Sequence, residues 1–310
     1  MNEHRIRCNL GPLAVDVHTN DTVVSDYLAQ FYTFVDPTPA SILPIPWVID
    51  ARTGAGGSMP CNRWGVGYVA DARARRVLLR HPKADNLAVT TRKVVREVLV
   101  DFCERQRYTM LHASAFADKD WVVVVVGDKG SGKTTLALRA ALEHGFRFLS
   151  NDHLIIYADE VSPAEEPVLV LTSLPTLVPV KVGTYLDLEH LLPTPWDSEG
   201  LDVDHYRKMP RAERYRYDQR LLYTFRQLGQ DNPIAIHVDR PTNGPRVTVV
   251  LASYRPAQQP VGAPEPIAAQ VDEMRAHIRS DWMFDPDLNQ RHLPRNERDR
   301  PTYQADCDRS

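Results

Sequence analysis

Cysteine is scarce in this chain. Four are spread over 310 residues, Cys8, Cys61, Cys103 and Cys307. Their spacing fits neither a metal ligand set nor a disulfide framework, and it suits a reducing compartment. No apolar run reaches the length of a membrane span. Met1-Asn2-Glu3-His4-Arg5 is followed by no apolar stretch, so no signal peptide is expected and the expected location is cytoplasmic. A large excess of one charge is also missing. Lys and Arg number 37 against 40 Asp and Glu, a net charge of −3, which argues against a general nucleic-acid binder. The Asn-Lys-x-Asp motif of guanine-nucleotide switches and the Leu-Ser-Gly-Gly-Gln motif of transporter ATPases do not occur, and there are no internal repeats. What remains is an ordinary globular composition, 43% hydrophobic and 25% charged, long enough to bury a core.

The most informative stretch is residues 111–157. At its centre stands Gly127-Asp128-Lys129-Gly130-Ser131-Gly132-Lys133-Thr134, a full match to the phosphate-binding loop pattern. Trp121 and five valines precede it and read as a fully buried parallel strand. Residues 135–142 follow and read as a helix. Gly127, Gly130 and Gly132 permit backbone angles and a close approach that a Cβ would block. The loop N–H groups and the helix N-terminus then face an anion. Together with Thr135, these residues are the expected nucleotide site. Lys133 would reach the β- and γ-phosphates of ATP, and the Thr134 hydroxyl would ligand Mg²⁺.

A second strand, Phe146-Arg147-Phe148-Leu149, ends in Ser150-Asn151-Asp152. An acidic residue at the end of a strand beside the loop strand is where a carboxylate supports the Mg²⁺ shell. Upstream, Leu111-His112-Ala113-Ser114-Ala115 reads as a short strand, with His112 and Ser114 on one face by alternation.

His112, the loop from Gly127 to Thr134, Gly145 and Asn151-Asp152 together resemble the HPr kinase/phosphorylase family and its HPr-kinase-like relatives. The resemblance is good over residues 111–157 and fainter through Leu174-Pro175-Thr176-Leu177-Val178-Pro179-Val180-Lys181. It implies a P-loop-containing HPr-kinase-like α/β core with a mixed sheet. The family has two aspartates where this chain has Asn151 and Asp152. By resemblance, Asp152 binds the metal, and Asn151 stands where the family's proton-accepting aspartate would be. An amide has no useful basicity at neutral pH. Three readings stay open: His112 takes the proton, transfer runs on positioning and electrostatics alone, or nothing is transferred. The expected catalytic set is His112, Lys133, Asn151 and Asp152, with Thr134 and Asp152 on the metal.

The rest of the chain organises around this core. Residues 1–85 read as a β-rich N-terminal region with turns at Asp36-Pro37-Thr38-Pro39 and in the glycine-rich run 52–58. A helix at 25–34 and a longer one at 87–107, with Val94, Val95, Val98, Leu99 and Phe102 as its apolar stripe, are expected. The core runs over 86–256. A short helix at 186–192 is expected in it, and residues 196–220 read as a mobile charged loop. Two strands, 233–238 and 246–251, read as a hairpin turning at Asn243-Gly244. Residues 257–284 are a linker and an amphipathic helix at 267–279, with Asp281-Trp282-Met283-Phe284 as an anchor. Residues 285–310 are a polar tail that reads as disordered.

The expected activity is an ATP- and Mg²⁺-dependent kinase, similar to HPr kinase, acting on a hydroxyl of a peptide, small protein or small molecule. Serine as that hydroxyl is an implication of the resemblance alone. No membrane partner and no nucleic acid are expected, and a homo-oligomer is left open. The alternative is an ATP-binding regulatory protein that transfers little or no phosphate.

Overall fold

The computed structural model describes residues 3–35, 46–159, 168–198, 200–228, 235–238, 245–253, 271–278, 291–293, 301, 302 and 305. The expected turns at 36–39 and 243–244, the linker at 256–266, the anchor at 281–284 and most of the tail lie outside these residues. The chain is mixed α/β and forms two compact units, one built chiefly on residues 1–109 with 279–310, the other on 110–230 with 234–278.

In the first unit, β1 (His4–Asn9), β2 (Ala14–Thr19), α1 (Thr22–Ala29), β3 (Trp47–Thr53), β4 (Gly67–Asp71), β5 (Arg76–His81) and α2 (Ala84–Arg105) follow one another. The strands form one sheet in the order β1-β2-β3-β5-β4, parallel in its centre and antiparallel at both edges. Helix α1 begins earlier than its apolar spacing predicts, because Asp21 caps it, its Oδ1 accepting from the Val23 amide at 3.0 Å. In α2 the predicted stripe Val94, Val95, Val98 and Leu99 is fully buried, and the helix packs on β3, β5 and α1.

The second unit contains β6 (Thr109–Leu111), β7 (Ser114–Ala117), β8 (Trp121–Val126), α3 (Lys133–His144), β9 (Arg147–Ser150), β10 (Leu154–Asp159), β11 (Val168–Ser173), β12 (Leu177–Lys181), α4 (Val182–Leu188), α5 (Val203–Arg207), α6 (Arg211–Arg214), β13 (Arg220–Thr224), β14 (Ala235–Val238), β15 (Arg246–Leu251) and α7 (Val271–Arg275). Its central sheet has the order β15-β8-β7-β9. The valine run of β8 is unbroken because both faces of this sheet are covered. Val123 and Val125 face one core with Phe116, Ala137, Leu138 and Phe148, closed by Val178, Val180, Leu221 and Tyr223 of the two-stranded β12–β13 ribbon. Val122, Val124 and Val126 face the other, with Ala115, Leu149, Val249 and Leu251, closed by Leu154 and Leu171 of a second sheet, β14-β11-β10-β6, and by Met274 and Ile278. Each buried valine is worth roughly 1.5–3 kcal/mol against exposure.

Several expectations change here. The strands at 235–238 and 246–251 are not a hairpin. β14 pairs antiparallel with β11, whereas β15 runs parallel to β8 from Arg246↔Trp121 to Leu251↔Val126. Burying two more apolar strands in two covered sheets outweighs the local turn signal. His112 is not on a strand: it occupies a bend between β6 and β7, which belong to different sheets. β9 does not lie beside β8, since β7 intervenes. Helix α4 starts at Val182 rather than 186. The stretch 196–220 is not irregular throughout, holding α5, α6 and the start of β13. Only 271–275 of the helix expected at 267–279 is described as helix.

Candidate active site

The loop between β8 and α3 is shaped by its glycines. Gly127, Gly130 and Gly132 have φ of 148°, 89° and 96°. At Gly127 a Cβ would lie 2.2 Å from the Ala252 carbonyl oxygen and 2.8 Å from Ser131 Oγ. The close approach arises because the Ala252 amide donates to Val126 O at 2.8 Å, carrying the β15–β8 pairing up to the loop. A Cβ at Gly130 or Gly132 would meet nothing, so there only the backbone angle demands glycine. Gly132 is the N-cap of α3, and Gly145, φ 73°, ends it in the left-handed conformation favoured at helix C-termini.

Lys133 is 6% exposed and curls back over the loop. Its Nζ donates to Gly127 O at 2.7 Å and Asp128 O at 3.1 Å. The Asp128 carbonyl also accepts from the Ser131 amide at 3.1 Å, closing the turn. Ser131 Oγ is buried without a hydrogen-bond partner. Thr134 Oγ1 donates to Asn151 Oδ1 at 2.7 Å, and Ser114 Oγ donates to the same oxygen at 3.2 Å. Asn151 is 3% exposed, and its Nδ2 is a buried donor with no partner.

Asp152 takes a different direction. Its φ is 64°, a left-handed conformation that aspartate tolerates better than most side chains. Its Oδ1 lies 3.4 Å from His112 Nε2. The His112 amide donates to the His277 carbonyl at 2.8 Å, fixing the bend against the turn after α7. The His277 imidazole is held below its ordinary value, first by burial and then by the charge of Lys133.

The expected residues therefore divide. Lys133, Thr134, Asn151, Asp152 and His112 gather at the loop. Thr135 turns away, its hydroxyl 2.7 Å from that of Thr184 on α4. Lys129 reaches outward to Asp218, 3.0 Å distant. Asp218, Arg220 and His277 carry no local motif, and only their place in the fold brings them here.

The arrangement fits a nucleotide and a hard cation. The loop offers backbone amides, and Lys133 can exchange two neutral carbonyls for phosphate oxygens, which form stronger charge-assisted bonds. Mg²⁺ binds through oxygen, commonly with one or two carboxylates and substrate phosphates completing its shell. The Thr134 hydroxyl, the Asn151 amide oxygen and the Asp152 carboxylate are oxygens of that kind. Among the described residues no group of three or more His, Cys, Asp or Glu could hold a metal alone, so a cation here would depend on phosphate ligands.

Among the described residues no helix is long and apolar enough to cross a membrane. In comparison with known proteins, no family model matches this chain and no curated protein is similar to it.

Proposed function

We propose that the chain is an ATP- and Mg²⁺-dependent kinase with an HPr-kinase-like core, transferring the γ-phosphoryl group to an acceptor hydroxyl. The observation that carries this reading is the convergence on one glycine loop of Lys133, the Thr134–Asn151 contact and the His112–Asp152 pair. In this reading the loop amides and Lys133 hold the β- and γ-phosphates. Mg²⁺, when bound, supplies charge neutralisation between them. Thr134 and Asn151 lie on its side of the site, because the hydroxyl expected to ligand it already touches Asn151.

Proton removal then falls to the other pair. The acceptor oxygen forms its bond to the γ-phosphorus as the bond to the β–γ bridging oxygen breaks, and ADP leaves with that electron pair. The hydroxyl proton passes to the His112–Asp152 pair, in which the carboxylate stabilises a protonated imidazole. This allocation differs from the one the family resemblance implies. It leaves the proton acceptor intact and puts the amide on the metal side, where it weakens cation binding rather than chemistry.

The regulatory alternative is favoured by one observation: Asn151 contributes no charge to the cation. The test is transfer of label from γ-labelled ATP with Mg²⁺ into peptide and metabolite fractions of the source cells. Label that appears on an acceptor and is lost with Lys133→Ala supports the kinase. Nucleotide bound, with no label moved into any fraction, would establish the regulatory reading instead.

A further inference from the structure

Beside the glycine loop, three cations meet one carboxylate. Lys129 Nζ is 3.0 Å from Asp218 Oδ2, while Lys181 Nζ and Arg220 Nη2 lie 3.2 and 3.0 Å from Oδ1. They come from three places: the loop itself, the end of β12 and the start of β13. Lys181 and Arg220 are direct cross-strand partners. Like charges in that position repel, and an anion between them relieves the repulsion. Asp218 brings one negative charge to three positive ones, so the cluster keeps an excess of positive charge.

Among the described residues, two nearly buried carboxylates also gather cations, and the comparison is informative. Asp50 binds Arg52, Arg76 and Arg80, and Asp187 binds Arg139 and Arg211, but both carboxylates are only 7% exposed. They are built into their surroundings. The Asp218 side chain is 54% exposed, and ion pairs that open to water are worth only about 0–1 kcal/mol each. A stronger anion can therefore displace it. The nucleotide phosphates already have the loop amides and Lys133, so the cluster at the rim is left for a second anion.

We propose that Lys181 and Arg220 form a docking site for an anionic group, a phosphate or a carboxylate, carried by the acceptor, and that Asp218 occupies this site until the acceptor arrives. The inference rests on the reading of the glycine loop as the nucleotide site. It narrows the acceptor to hydroxyl compounds or peptides with an acidic group near the hydroxyl. Arginine gives a planar, two-pronged contact to such groups, and lysine adds a point charge.

The test is calorimetric titration of inorganic phosphate into the full chain saturated with Mg²⁺ and a non-hydrolysable ATP analogue, which keeps the loop itself filled. Phosphate should bind the wild type. Binding should tighten about threefold or more in Asp218→Asn and weaken about tenfold in Arg220→Met and Lys181→Met, with Arg220→Lys intermediate. Melting temperatures check that each variant is folded. The proposal is overturned if neither the wild type nor Asp218→Asn binds phosphate. It is also overturned if Arg220→Met and Lys181→Met weaken the analogue as much as the phosphate, since the cluster would then serve the nucleotide. Failure of the nucleotide reading would show separately, as no binding of the analogue. Phosphate titrated into Lys133→Ala would then judge the Arg220 site alone, with Arg220→Met in that background supporting the site if binding weakens and refuting it if not.

Discussion

Asn151→Asp is the most informative single change, because stability and metal dependence should move in opposite directions. The wild-type amide accepts from Thr134 and Ser114 and leaves Nδ2 buried and unpaired. An orphaned buried donor costs about 1–3 kcal/mol, and the carboxylate oxygen that replaces it is equally without a partner, so that cost stays. The aspartate would, however, accept the same two hydroxyls as charge-assisted bonds, each stronger by about 1 kcal/mol. Against these gains stands the burial of a charge at a position 3% exposed, an effective penalty of several kcal/mol. The sum is a loss of roughly 2 kcal/mol without ligands, or a melting temperature lower by about 4–8 °C for a unit of this size.

Mg²⁺ with ADP should recover most of that loss. The new carboxylate then faces a cation, and a tenfold gain in cation affinity adds about 1.4 kcal/mol. The assay is a thermal melt of both proteins with no ligand, with ADP and a chelator, and with ADP and Mg²⁺. The mutant should melt lower in the first two conditions and gain more from Mg²⁺ in the third. Equal Mg²⁺ increments in the two proteins would refute the placement of Asn151 on the metal side.

Two further outcomes follow from the geometry. Gly127→Ala drives a Cβ to 2.2 Å from the Ala252 carbonyl. Gly130→Ala meets open space and pays only the left-handed backbone term of about 1–2 kcal/mol. Nucleotide affinity, read by calorimetry, should collapse in the first and fall modestly in the second, and equal losses would refute the packing argument. At Asp187 burial pushes the carboxyl up, but hydrogen bonds from Arg211 and Tyr215 and the charges of Arg211 and Arg139 outweigh it and hold it below its usual range. A carboxyl lowered on folding stabilises above its unfolded value, and that stability is lost as pH falls through the folded one. Asp187→Asn should cost about 1–3 kcal/mol at neutral pH, and in urea melts the gap to wild type should narrow as pH drops below 4. A gap constant with pH would remove Asp187 from the acid response.

Legibility in the sequence followed the range of the interactions. β8, the loop and α3 were readable because valine run, glycine pattern and helix signal are local and agree. The buried stripe of α2 was readable for the same reason. The hairpin expectation failed because the partner of β15 lies more than a hundred residues upstream, and no turn rule reports a parallel pairing at that distance. The different contacts of Asn151 and Asp152 coincide with a left-handed backbone at Asp152, with the neighbouring side chains meeting different partners. Residue type carries no sign of it. The Asp218 cluster was invisible in kind: Lys129 and Asp218 are 89 positions apart, and each alone is an ordinary surface charge.

The parallel pairing of β15 with β8 also sets an order of events during synthesis. When Thr134 leaves the ribosome the whole phosphate-binding motif exists as sequence, yet one edge of its strand is bare. It stays bare until Leu251 has emerged. The loop that Gly127 packs against Ala252 can take its final form only then. On the proposed reading of the loop, a nascent chain cannot hold nucleotide until Ala252 has been made, more than a hundred residues after the motif itself is complete.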